Sequence, residues 1–130
     1  MSFSIDSIFT PADEVSELFF DDFDDRGRLI KRKYRRGITI IMFYSPRCGH
    51  CHHTKPTYTW LSNLLDTTKF HFTAINCSQT PDIVPTLEKR IQGVSIEGFP
   101  TILKFKNGKY TQTLQGDRSK DGLFRFVVDV

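Results

Sequence analysis

The seven residues Ile38–Tyr44 form an apolar run that leads, through Ser45, Pro46 and Arg47, directly into Cys48-Gly49-His50-Cys51. A run of this length without polar alternation reads as a strand buried on both faces, and the segment behind it has helical spacing. A buried strand feeding straight into a helix points to an α/β architecture. It also places a C-x-x-C pair at the junction, above the helix N-terminus, where unpaired N–H groups and the macrodipole favour the anionic form of a thiol. That is how a protein makes a nucleophilic thiolate.

The rest of the chain agrees with one domain of this kind. At 130 residues it is long enough for one core and too short for two ordinary domains. The expected organisation is an N-terminal extension over residues 1–17 and a folded domain over 18–130. Eighteen basic against fifteen acidic side chains leave a net charge of +3, too small to argue for nucleic acid on its own. No apolar run reaches the length of a membrane span, and the first residues lack a basic stretch followed by an apolar one. Three cysteines are too few and too oddly numbered for a stapled secreted scaffold, so the pair is expected to be catalytic or metal-binding.

Strand and helix signals alternate along the chain. Thr10-Pro11 followed by acids is a helix-start signature, and Leu18, Phe19 and Phe20 suggest a first edge strand. Residues 21–36 are a charge block: Asp21, Asp22, Asp24 and Asp25, then a basic run over 26–36 containing Tyr34, with Gly27 arguing against one continuous helix. After the central strand, a helix is expected over 48–65, interrupted at Pro56, which removes an intrahelical bond. A strand over 70–77, a helix over 81–91 and a strand over 101–106 follow. Asn107-Gly108 reads as a tight hairpin turn into a partner strand over 109–114, and residues 118–128 close the chain as a helix. The order implies a mixed sheet with helices on both faces.

With these motifs in place the chain resembles the thioredoxin superfamily and, within it, the protein disulfide isomerase domains. The segment Phe43-Tyr-Ser-Pro-Arg-Cys-Gly-His-Cys51 is similar to the isomerase active site, Pro56 to the proline of the family's active-site helix, and Gly98-Phe99-Pro100-Thr101 to the element whose proline is cis in the family. Arg118, two residues after Gly116, resembles a family arginine before the last helix. The resemblance implies a thioredoxin fold and a thiol-disulfide oxidoreductase working without a cofactor on cysteine-containing protein substrates. A redox partner such as glutathione or a flavin oxidase would recycle it.

It also implies a role for each matched residue. Cys48 would attack a substrate sulfur, and Cys51, one turn further in, would resolve the mixed disulfide. The helix terminus reached through Gly49, protonated His50 and Arg47 all favour the Cys48 thiolate, which biases the pair towards forming and shuffling disulfides. Pro100 would face the cysteines, leaving backbone groups of Phe99 or Thr101 free to pair with an extended substrate. Three departures bear on this. Met42 stands where the family usually buries an acid that accepts the Cys51 proton, so that transfer would depend on water, His50 or Arg118. Arg47 replaces an aromatic residue, which favours acidic peptides. Finally, no C-terminal retrieval signal is present, so the expected compartment is open: cytoplasm or, for a source among the large DNA viruses, the virion.

Other readings use the same residues. Cys48-Gly-His-Cys51-His52 matches the C-x-x-C-H haem attachment pattern, but the only internal methionine, Met42, lies in a strand. A zinc or iron-sulfur site would draw on Cys48, His50, Cys51, His52 or His53, yet neighbours on one helix cannot all face one metal, and no metal is expected. Cys77 at a strand end reads as a buried, inert thiol. The basic run 26–36 offers a docking or nucleic-acid patch, against which its charge is expected to be balanced by the four aspartates before it.

Overall fold

The structure, a computed structural model, describes residues 3–129. Met1 and Ser2, in the expected extension, and Val130, at the end of the expected domain, lie outside them.

Ile38–Tyr44 is β2, and six of its seven residues are buried. It is flanked in parallel by β3 (Phe70–Asn76) and in antiparallel by β4 (Thr101–Lys106), with β1 (Ser16–Glu17) and β5 (Lys109–Thr113) at the edges, in the order β1-β3-β2-β4-β5. Strand alternation divides the core between two faces. Ile40, Met42 and Tyr44 face α1 (Gly49–Leu64) and α3 (Lys120–Val128), meeting Cys51, Tyr58, Leu61, Leu123 and Val127. Ile41 and Phe43 face the opposite side with Ile83 and Leu87 of α2 (Ile83–Arg90). Each such fully buried side chain stabilises the fold by about 1.5–3 kcal/mol. This is the mixed sheet with helices on both faces that the element order implies.

The local signals settle where chemistry requires. α1 continues through Pro56, whose missing N–H leaves the carbonyl of His52 without its intrahelical donor. Asn107 and Gly108 both take positive φ, 53° and 85°, the backbone of a tight β4–β5 turn. Ser119 caps α3 by accepting from Gly122 N at 3.2 Å, so this helix starts two residues later than the spacing suggests. At its other end the buried Lys104 donates to the carbonyls of Phe126 and Asp129, neutralising the negative end of the helix.

The edge strand is displaced from its expected place. Ser16 and Glu17 form it, pairing with Thr73 and Ala74. Leu18 N still donates to Ala74 O at 2.7 Å, but the Asp22 carboxylate accepts from Phe19 N at 2.7 Å and folds Phe20–Asp22 into a 3-10 turn. A local side-chain acceptor thus outcompetes the ladder. The stretch before the strand is packed, with Phe9 and Val15 buried against β2 and α1. Glu17, also buried, accepts from Ser4 N, Ser7 Oγ and Tyr44 Oη.

Candidate active site

Cys48 occupies the N-cap of α1 in an extended conformation (φ −86°, ψ 115°), and its carbonyl accepts from Cys51 N at 3.1 Å and His52 N at 3.3 Å. The turn that delivers it is closed by Cys48 N donating to Ser45 O at 3.0 Å. His52 Nε2 donates to Pro46 O at 2.6 Å and pins the loop from the helix side. This contact is invisible in the sequence, where His52 stands only as a candidate ligand in the C-x-x-C-H pattern and beside His53. Nothing lies within 4 Å of a side chain placed at Gly49, so the helix entrance stays open above the thiols.

The two thiols differ in access. Cys48 is half-buried and Cys51 fully buried, and both are free, as is Cys77. The loop before β4 comes up to the pair from the other side. Cys48 Sγ donates to Phe99 O at 3.3 Å, the Phe99–Pro100 peptide bond is cis, and Pro100 is buried. Thr101 Oγ1 donates to Gly98 O at 2.6 Å, tying the loop to itself, while the Thr101 backbone begins the pairing of β4 with Phe43. The guanidinium of Arg118 donates to Pro100 O at 3.5 Å.

Burial, above all, pushes the Cys51 thiol up from 9.0 to about 12. Its hydrogen bond with the Cys48 side chain and the charge of Cys48 act in the same direction, and a backbone hydrogen bond at Ser45 and the Arg118 charge oppose them. No carboxylate enters this balance. Met42, with no exposed surface, belongs to the same apolar cluster as Cys51. Burial also pushes the Cys77 thiol to about 12, and its sulfur lies 3.8 Å from Ile75 O on the far side of the sheet.

The structure therefore brings together Cys48, Cys51, Phe99, Pro100 and Arg118 from three separate stretches of chain. His50 and Arg47 are exposed beside them, and among the described residues neither side chain makes a hydrogen bond. Three or more metal-ligating side chains come together nowhere among the described residues, so the alternative of a Cys/His metal site finds no donor set. No helix among them is long and apolar enough to cross a membrane.

Comparison with known proteins gives the same architecture. Protein disulfide-isomerase of Saccharomyces cerevisiae is 33% identical over 90 residues, which are 68% of this chain and 16% of that protein. A probable protein disulfide-isomerase ER-60 of Schistosoma mansoni is 24% identical over 122 residues, 92% of this chain and 22% of the relative. The chain thus spans about a fifth or less of the length of these relatives. Among solved structures, the J-Trx1 fragment of ERdj5 superposes with a TM-score of 0.65 at 26% identity, covering 87% of this chain and 49% of that one. Human ERp44 form II superposes with a TM-score of 0.69 over 98% of this chain and 32% of that one, at an identity of 17% that speaks for the fold alone. The thioredoxin family profile matches residues 29–129, a span that contains the dithiol, the Phe99–Pro100 loop and Arg118, and the chain belongs to the thioredoxin family.

Proposed function

We propose that the chain is a thiol-disulfide oxidoreductase that exchanges disulfides with cysteine-containing proteins, and that it shuffles them rather than merely reducing them. The observation that carries this reading is the unequal pair: Cys48 half-exposed at a helix N-terminus, with Cys51 buried behind it and pushed up to about 12. In the dithiol state the Cys48 thiolate attacks one sulfur of a substrate disulfide. A Cys48–substrate bond forms, the substrate S–S bond breaks, and the second substrate sulfur leaves as a thiolate.

Two nucleophiles then compete for the mixed disulfide. Attack by the Cys51 thiolate on Cys48 Sγ releases a reduced substrate and oxidises the protein. Attack by another substrate thiolate on the substrate sulfur releases Cys48 and leaves the substrate with a rearranged disulfide. A Cys51 that keeps its proton handicaps the first route, so the second is favoured. Run in reverse, the oxidised pair accepts two electrons from a substrate dithiol, and glutathione disulfide, itself reduced to two thiols, or a flavin oxidase returns the pair to the disulfide. An extended substrate lies along the Phe99–Pro100 loop, pairing with backbone groups of Phe99 or Thr101, with Arg47 at its rim.

Two variants test the assignment. Cys51→Ser accumulates mixed disulfides with a scrambled multi-disulfide protein on non-reducing gels, whereas Cys48→Ser forms none and does not reactivate that protein. Alkylation of Cys51 but not Cys48 in the reduced protein at neutral pH would reverse the roles.

A further inference from the structure

We infer that the end of the sheet remote from the dithiol is a binding surface for the phosphate backbone of nucleic acid, formed by Arg32, Arg35, Arg36, Lys69, Lys106 and Lys109. All six are exposed. They come from three separate stretches of chain, and the backbone locks them together. Ile38 N donates to Lys69 O at 2.9 Å, Asn107 N to Gly37 O at 2.9 Å, and Gly37 N to Asn107 Oδ1 at 3.0 Å. Gly37, at φ 81°, lies so close to Lys69 O that a Cβ there would sit 2.4 Å from it. Leu29 N donates to Gly108 O at 2.9 Å, which ties the basic segment to the hairpin tip.

The charge of this pole is only partly balanced internally. Asp129 shares a cleft with Lys106, and Asp24 one with Arg35 and Lys109, but none of the six cations is held in an ion pair among the described residues. Of the four aspartates before the basic run, Asp22 is buried and serves Phe19 N and Lys31, while Asp24 is taken by Arg26 N, Arg28 N and Arg28 Nε. Asp21 and Asp25 are exposed and make no ion pair among the described residues. The ion pairs among those residues engage Arg28, Lys31, Lys55 and Arg125, and none of the six. Asp66 accepts from Thr68 N and Oγ1 on one carboxylate oxygen and also feels the charge of Lys69, so it offsets that lysine in part without forming an ion pair with it. Lys106 and Lys109 even face each other in register across β4 and β5, an arrangement of like charges that destabilises a hairpin unless an anion lies between them. Six of the chain's eighteen basic side chains are thus exposed at this one pole.

Two features favour a phosphate backbone over other anions, and a third sets the mode of binding. Arginine is half of the set and grips phosphate in a bidentate manner. Among the exposed large apolar side chains described, only Ile30 belongs to the basic segment, too little apolar area to enter a bilayer. Tyr34, the aromatic residue inside the run, is buried at 1% exposure and cannot stack on a base, so binding is to the backbone and without sequence preference. The six steps of β2 separate this pole from the dithiol by about 20 Å, which leaves both usable at once.

The test is fluorescence anisotropy of a labelled 20-base-pair duplex, in two unrelated sequences, titrated with the full chain at several NaCl concentrations. Both duplexes bind alike, and log Kd rises with log salt at a slope of about 3–5, from roughly 0.9 per neutralised phosphate. Replacing three of the six (Arg35→Gln, Lys106→Gln, Lys109→Gln) weakens binding at least tenfold and lowers the slope by about 3, with Ellman's-reagent kinetics of the dithiol unchanged. A second readout in the wild-type protein covers a misfolded variant: the duplex protects Lys69, Lys106 and Lys109 from acetylation but not the exposed Lys89 on α2. Absence of salt-dependent binding, undiminished binding by the triple variant, or equal protection of Lys89 overturns the inference. Tighter binding to phosphatidylserine vesicles or to polyglutamate than to the duplex overturns the choice of nucleic acid.

Discussion

Replacing Met42 by glutamate should speed the resolving step and destabilise the fold. In the free dithiol Cys51 is pushed from 9.0 to about 12, which leaves about one thiol in 10⁵ ionised at pH 7, at most a thousandfold fewer than without the shift. The part due to burial, the largest cause, carries over to the mixed disulfide, while the parts due to Cys48 do not. A more basic thiolate is a better nucleophile, and a Brønsted coefficient near 0.45 over three units recovers about twentyfold, leaving a deficit of at most about fiftyfold. A carboxylate at position 42, buried in the same cluster as Cys51, supplies the missing proton acceptor and should return about ten- to fiftyfold. The opposing effect is large, because Met42 has no exposed surface and an ionised carboxylate there costs several kcal/mol of desolvation. Stopped-flow reaction with Ellman's reagent separates the steps. Attack by Cys48 releases one equivalent of thiolate, and closure of the Cys48–Cys51 bond releases the second. Met42→Glu should accelerate the second phase, leave the first within twofold, and lower the melting temperature. A folded Met42→Glu variant whose second phase is no faster, alone or combined with Arg118→Ala, would show that proton removal from Cys51 does not limit resolution.

Three further outcomes follow from the same geometry. In the wild-type protein the second phase should rise tenfold per pH unit from 7 to at least 9, because burial, the largest cause of the Cys51 shift, persists when Cys48 is in a mixed disulfide; a plateau below pH 8 would contradict it. His50→Pro should make the pair more reducing by on the order of 30 mV in glutathione buffer, since it removes a side chain able to stabilise the Cys48 thiolate, and an unchanged or less negative potential would count against that role. Stability should fall as pH rises above about 9, because Cys51, Cys77 and Tyr34, each raised to about 12 in the fold, stay protonated there while their counterparts in the unfolded chain ionise first. Urea midpoints at pH 8 and at about 10.5 check the sign, and equal midpoints would refute it.

Local chemistry wrote much of this protein into its sequence. The unbroken apolar run of β2, the Asn107-Gly108 turn and the C-x-x-C pair at a helix start each depend on residues adjacent in the chain, so each is legible from the order of amino acids. The edge strand was misplaced for a local reason too, since the Asp22 carboxylate captures Phe19 N, a contest between turn and ladder that periodicity does not report. Packing alone decided the rest. Spacing shows that Cys48 and Cys51 lie one turn apart, but burial of Cys51 depends on which face of α1 meets Ile40 and Met42. The contact of Cys48 Sγ with Phe99 O spans 51 residues, and that of Arg118 with Pro100 O spans 18. The basic pole likewise exists only because the sheet register sets Lys106 and Lys109 beside Gly37 and Lys69. Such approaches are set by the summed closure of the whole core, and no neighbouring residue encodes them.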